Sequence, residues 1–154
     1  MSVDKEIDRL DREILRLISV DASLSLADIA AKVGLTPTPC WKRIRRMEQD
    51  GIIQRRVAIL DADKIGLPVS VFVAIETADH SSDWLARFAD VIRDTPEIVD
   101  AWRMSGDVDY LLHVAVADIA SYDQFYRRLI AAVPLRNVSS RFSMERMKAA
   151  PLPV

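Results

Sequence analysis

Residues 25–56 read SLADIAAKVGLTPTPCWKRIRRMEQDGIIQRR, and the punctuation of this stretch decides the fold. Ser25 followed three residues later by Asp28 has the form of a capping box. Leu26, Ile29, Ala30 and Val33 recur at helical spacing, and Gly34 supplies a stop. A second helix start follows at once: Thr36 is placed to cap it, Pro37 takes the first helical position, and Pro39 still lies in the first turn, where a missing amide donor costs little. This helix is predicted to run to Asp50, with Gly51 ending it. Two helices joined by so short a turn cross steeply, as in a helix-turn-helix unit. Lys42, Arg43, Arg45 and Arg46 crowd the second helix, and Arg55 and Arg56 follow it.

Upstream, Asp8 can cap a first helix whose apolar stripe is Leu10, Ile14, Leu15, Leu17 and Ile18, with Arg9, Arg12 and Arg16 off the stripe. Three helices then share a small core of Leu17, Ile29, Val33, Ile44 and Met47. Residues 52–60 are rich in branched side chains and are predicted to form a strand or wing with Arg55 and Arg56 in its middle. The first domain is expected over residues 1–60. Residues 61–68, with one Gly, one Pro and three charges, are read as the linker.

Beyond the linker the predicted elements are a strand over 69–77, a helix over 82–94 carrying Trp84, Leu85, Phe88, Val91 and Ile92, and a strand over 98–104. After a turn at 105–109 come a strand over 110–117, a helix over 121–133 with Tyr122, Phe125, Leu129 and Ile130 inward, and a strand over 138–147. The order β-α-β-β-α-β belongs to the ferredoxin-like split βαβ arrangement, with both helices on one face of an antiparallel sheet. The expected class is therefore α+β: an N-terminal winged helix-turn-helix and a C-terminal ferredoxin-like βαββαβ sandwich over residues 69–154. Val71, Phe72, Val73, Ala74 and Ile75 are consecutive, so neither face of their strand suits water, and homodimerisation through the uncovered face is expected.

Charge is distributed unevenly. The whole chain of 154 residues carries a net charge of -2. Residues 1–60 hold eleven Lys or Arg against nine Asp or Glu, whereas residues 61–154 hold ten against fourteen. Residues 36–56 alone hold six basic and two acidic side chains, which points to a DNA-facing front and a neutral or acidic back. With one cysteine, Cys40, no internal disulfide is available, and His80 and His113 are too few to complete a zinc site with it. Cys40 stands at helical spacing from Ile44 and Met47 and is expected to be a buried thiol. No apolar run approaches the ~18 residues that span a bilayer, so a cytoplasmic protein without membrane contact is expected.

In helix-turn-helix proteins the N-terminal part of the second helix enters the major groove while surrounding cations hold phosphates. That logic assigns Thr38, Pro39, Trp41, Lys42 and Arg45 to the groove, with Arg45 a candidate reader of guanine. Amides around the capping Thr36 can approach a phosphate, and Arg43, Arg46, Arg55 and Arg56 are assigned to backbone contacts.

Taken together, Ile14-Leu15 after Asp11, Leu35-Thr36-Pro37-Thr38-Pro39-Cys40 leading into Arg43-Ile44-Arg45-Arg46-Met47-Glu48, Gly51-Ile52-Ile53, and Ser105-Gly106-Asp107-Val108-Asp109-Tyr110-Leu111-Leu112 resemble the Lrp/AsnC family of transcription regulators. The resemblance covers nearly the whole length. It implies a winged helix-turn-helix joined to an amino-acid-sensing module, dimers that assemble further, often to octamers, and a ligand bound at the 105–109 turn between neighbouring dimers. In such a site Gly106 lets backbone approach closely, Ser105 donates, and Asp107 or Asp109 holds the ammonium, while Met104, Val108 and Tyr110 shape the space for the ligand's tail. Two features depart from the family pattern. Gln54, Arg55 and Arg56 stand where many members place an aromatic and a small residue, and Trp41 replaces an aliphatic or polar one.

The expected function is thus a sequence-specific DNA-binding transcriptional regulator with an amino-acid effector, no catalytic residues, no metal and no cofactor. Its expected partners are double-stranded DNA, further copies of itself and the effector. Two rivals share parts of this pattern. The two-part fold also resembles the decarboxylases of sirohaem-type tetrapyrrole metabolism, but those need His and Arg near propionate or acetate groups, and the second half offers only His113 in a strand, beside Arg103 and Arg141. A broadly binding, nucleoid-associated protein would differ from a local regulator in specificity ratio and not in fold.

Overall fold

The computed structural model describes residues 7–154. The chain divides into two compact units, one running to Ile59 and taking in Lys148–Val154, the other Leu60–Met147. Residues 148–154 therefore pack with the first unit, although the sequence placed them with the second. Val154 lies partly buried against the first unit's core.

Three helices build the first unit: α1 (Arg9–Val20), α2 (Leu26–Lys32) and α3 (Pro37–Gln49). Asp8 begins α1 with a full capping box, its carboxylate accepting from Asp11 N while the Asp11 side chain accepts from Asp8 N. Ser25 caps α2 by accepting from Asp28 N, and its hydroxyl donates to the Asp28 carboxylate at 2.6 Å. Gly34 has φ +69°, the left-handed conformation that ends α2 without a Cβ penalty and turns the chain toward α3. Thr36 is the N-cap residue of α3, yet its side chain makes no capping hydrogen bond; Pro37 sets the first turn instead.

The α3 residues Cys40, Ile44 and Met47, spaced four and three apart, face a core completed by Ile14, Leu15, Ile29, Ala30 and Val33. Ile44 is 5% exposed, so truncating it to alanine removes buried methyls and costs about 2–5 kcal/mol. The strand expected over 52–60 does not form. Ile52 N and Ile53 N both donate to Met47 O, at 2.9 and 3.1 Å, and so close the end of α3. The chain then runs on without a ladder partner and stays exposed from Gln54 through Leu60. A strand needs a neighbour for its amides, and residues 7–59 offer it none.

The second unit follows the expected order: β1 (Val69–Glu76), α4 (Ser82–Asp94), β2 (Ile98–Arg103), β3 (Tyr110–Val116), α5 (Ile119–Ala132) and β4 (Asn137–Phe142). Residues 61–67 form a helical turn, with Ile65 N donating to Asp61 O and Leu67 N to Ala62 O. The sheet order is β2-β3-β1-β4 with every pairing antiparallel. β4 ends at Phe142, five residues short of the expected end. Strand alternation sends Val71, Val73 and Ile75 of β1 and Tyr110, Leu112, Val114 and Val116 of β3 to the helix side, where they meet Trp84 and Phe88 of α4 and Phe125 and Leu129 of α5. Ile130, expected inward, is 45% exposed, and Leu85 is 42% exposed, because their helical angle carries them off that face.

The opposite face carries Ser70, Phe72 and Ala74 of β1, with Leu111, His113 and Ala115 of β3 beside them, Trp102 on β2 and Arg141 on β4. No helix covers it. The Phe72 and His113 rings stack there at 4.8 Å, and Ser70 Oγ lies 2.7 Å from His113 Nε2. His113 is thus a partnered strand residue, as the sequence suggested.

Candidate nucleic-acid interface and ligand-binding turn

The cations of α3 fall into two sets, and an aspartate separates them. Asp11 lies on the apolar side of α1, fully buried next to Ile14 and Leu15. Its carboxylate takes a hydrogen bond from Arg43 Nη1 at 2.9 Å and another from Arg46 Nη2. Arg43 Nη1 also reaches Asp8 at 2.5 Å. A buried carboxylate must be paired, and here two guanidiniums from the neighbouring helix satisfy it. The amide of Asp11 and the Arg43 guanidinium hold the Asp8 carboxyl below the usual carboxylate range, and hydrogen bonds to Asp8 and Asp11 raise Arg43 above its ordinary value. Sequence reasoning assigned Arg43 and Arg46 to phosphate. Their geometry also makes them struts between α1 and α3: the interior carboxylate engages one nitrogen of each guanidinium, while the Arg46 side chain remains 48% exposed.

The other set points to solvent. Thr38, Pro39, Trp41, Lys42 and Arg45 are all exposed along the leading turns of α3, Thr36 is exposed at its start, and Arg55 and Arg56 are exposed beyond its end. Lys42 and Arg55 make no ion pair among the described residues. Arg45 lies over the Trp41 ring at 5.9 Å and donates to Glu48 at 3.2 Å, and Arg56 donates to the other Glu48 oxygen at 3.3 Å. Cys40, on the inner side of the same helix, is buried, and burial pushes its thiol up. Such a helix can offer a duplex mobile cations, an aromatic face and oriented guanidiniums, while its inner side is committed to the core.

In the second unit, the turn between β2 and β3 exposes Met104, Ser105, Gly106 and Asp107 and leaves Val108 half-buried. Gly106 has φ +107°, which only a residue without Cβ adopts easily. The two aspartates differ. Asp109 is committed to the fold: its carboxylate accepts from Thr77 N at 2.8 Å, its amide donates to Ile75 O and its carbonyl accepts from Met104 N. Asp107 is exposed and takes part in no ion pair among the described residues. Tyr110, expected to shape a ligand pocket, is buried on the helix side, packed against Trp84 and Phe88 with ring centroids 5.7 and 4.7 Å away. Alternation explains the burial: Tyr110 begins β3 on the same face as Leu112.

Asp11 and Glu48 escaped the sequence reading. The signal for Asp11 was an acid at helical spacing within the stripe Leu10, Ile14, Leu15 and Ile18, a placement tolerated only with a partner. For Glu48 it was the three-residue spacing from Arg45. Among the described residues no group of His, Cys, Asp and Glu is arranged to hold a metal ion, and no helix is long and apolar enough to cross a membrane.

These two units define a class of protein: a DNA-binding transcriptional regulator with a separate ligand-binding domain. A winged helix-turn-helix DNA-binding family model matches residues 7–54, and the Lrp/AsnC ligand binding domain model matches residues 70–153. The chain is 50% identical over 143 residues to the DNA-binding transcriptional activator DecR of Escherichia coli, covering 92% of this chain and 94% of that protein. It is also similar to the crystal structure of an AsnC family transcriptional regulator from Agrobacterium tumefaciens, with a TM-score of 0.90, 57% identity, and coverage of 95% and 96% of the two chains. A transcriptional regulator from Neisseria meningitidis in complex with L-Met superposes with a TM-score of 0.91 at 25% identity, over 96% and 97%. The chain belongs to the Lrp/AsnC family of transcriptional regulators.

Proposed function

We propose that this regulator reads DNA with the exposed leading face of α3 and is tuned by a free amino acid held at the β2–β3 turn. Thr38, Pro39, Trp41, Lys42 and Arg45 enter the major groove. Lys42, Arg55, Arg56 and the amides around Thr36 hold phosphates. Arg43 and Arg46 contribute by fixing the angle between α1 and α3. The observation that carries this reading is the grouping of exposed Lys42 and Arg45 on the leading turns of α3, with Arg55 and Arg56 exposed beyond its end, on a helix that Arg43 and Arg46 tie to Asp11 of α1. Binding to a selected duplex should weaken with salt at a slope of about -0.9 per phosphate neutralised. Fluorescence anisotropy across a salt series tests this. Salt-independent affinity, or affinity that survives loss of Lys42, Arg45 and Arg55 together, refutes it.

For the effector, support comes from the exposed Ser105, Gly106 and Asp107 and from the L-Met bound by the meningococcal relative. Asp107 holds the ammonium, backbone amides near Gly106 meet the carboxylate, and Met104 and Val108 meet the side chain. The turn is open in a single chain, so a second protomer supplies the remaining wall. The uncovered sheet face, with Phe72, Trp102 and Leu111, is the proposed dimer surface, and the unpaired residues 54–60, with Val57, Ile59 and Leu60 exposed, offer a second self-association element. A ligand bound between dimers changes DNA affinity by shifting assembly. Such a protein works in the cytoplasm and needs no catalytic step. Isothermal titration across the twenty amino acids reads out the effector. No heat from any of them refutes the sensor reading and leaves the DNA reading standing.

A further inference from the structure

We propose that Glu48 is a specificity-determining positioning residue of the DNA surface: its carboxylate holds Arg45 ready for a base edge while weakening the capture of Arg45 and Arg56 by phosphate. This inference rests on the DNA-reading face proposed above. Trp41, Arg45 and Glu48 fall four and three residues apart and share one face of α3. The Arg45 guanidinium carbon lies over the Trp41 ring, 5.9 Å from its centroid, and Arg45 Nη1 donates to Glu48 Oε2 at 3.2 Å. The second oxygen, Oε1, takes Arg56 Nη2 at 3.3 Å from the segment beyond the helix. These four side chains rim a groove of about 350 Å³ floored by Leu24, Leu26, Ile29 and Ile44. The acid is the more enclosed partner, with 29% of its side chain exposed against 56% for Arg45 and 45% for Arg56.

The arrangement treats the two parts of a duplex differently. A guanidinium carries five N–H donors in a rigid fork, and one bond to Glu48 leaves enough for a two-bond contact with a guanine edge. The Trp41 contact and the Glu48 bond restrict the Arg45 rotamers before DNA arrives, so a base contact loses less entropy on forming. A phosphate responds to net charge instead. Glu48 reduces the charge of the Arg45 and Arg56 pair from +2 to +1 and presents its own anion to the backbone, so the sequence-independent part of binding bears the larger penalty.

The test compares full-length wild type with Glu48→Gln and, as a second variant, Glu48→Ala. The probes are a duplex enriched by the wild type from a random pool and a scrambled duplex of equal length. Both variants should bind scrambled DNA roughly three- to tenfold more tightly, with the salt slope steeper by about 0.9, while the enriched duplex gains less and the specificity ratio falls. A purely structural role would leave the slope unmoved. An unchanged or wider ratio with an unchanged slope overturns the assignment, as does loss of helical circular dichroism in both variants. If the wild type enriches no sequence at all, the DNA reading itself fails and takes this inference with it. Clear enrichment with no response to the variants sinks the Glu48 role alone.

Discussion

Replacing Asp11 with asparagine should weaken the first unit and, at the same time, strengthen its grip on phosphate. The Asp11 side chain is fully buried and receives two charge-assisted hydrogen bonds, from Arg43 and Arg46. Removing one partner of a wholly buried pair costs about 3–5 kcal/mol, most of it the penalty of stranding the other charge. Here the stranded charges have an escape, because the side chains of Arg43 and Arg46 are 26% and 48% exposed and can turn to water. The amide also keeps one acceptor oxygen. The destabilisation should therefore lie near 2 kcal/mol, below the buried-pair figure and above the ~0–1 kcal/mol of a surface pair. Amide hydrogen exchange of α1 and α3 measures it within the first unit, free of the separate opening of the second. At the same time Arg43 and Arg46 become available to DNA, and the salt dependence of binding should steepen by up to about 0.9 for each one captured. Loss of stability without a steeper salt slope would show that the two arginines cannot reach a duplex even when released. Unchanged exchange protection would refute the strut role outright, since a buried carboxylate that costs nothing to neutralise was not holding the helices.

The exposed cations should behave in the opposite way. Lys42→Gln and Arg55→Gln leave exchange protection intact, and each lowers the salt slope by about 0.9, as anisotropy titration will show. The two aspartates of the β2–β3 turn should also separate: Asp109→Asn weakens the acceptor of Thr77 N and lowers the thermal midpoint by an amount corresponding to ~1 kcal/mol, whereas Asp107→Asn leaves the midpoint unchanged and removes the calorimetric response to the effector. Placing a charge on the open sheet face, as Phe72→Asp, should shift sedimentation velocity toward the monomer without altering the helical circular dichroism. Acid should unfold the protein from its helix starts. Backbone amides depress the carboxyls of Asp8 and Asp118, and the Ser81 amide does the same for Asp79, below the ordinary aspartate value of 3.8, so these groups bind protons more weakly folded than unfolded. Their contribution is fully present above pH 3.8 and disappears as pH falls through the lower folded values, and urea midpoints between pH 5 and 2 should track that loss.

The sequence by itself determined the elements whose causes are local. Asp8 and Ser25 cap helices α1 and α2 because a short polar side chain reaches amides two or three residues away, and Gly34 and Pro37 bracket the turn between α2 and α3 by restricting only their own backbone. Period-two and period-3.6 patterns likewise identified the βαββαβ order and most of both cores. Tertiary structure alone decided what depended on a distant partner. Arg43 and Arg46 look like their neighbours Lys42 and Arg45 until α1 brings Asp11 beneath them. Residues 54–60 have the composition of a strand but pair with no edge among the described residues, and Tyr110 is buried because the register of β3 turns it toward Trp84 and Phe88. A cap or a turn is settled within four residues of chain. The destination of a long charged side chain, or of a strand's free amides, is settled by whatever folding carries alongside it.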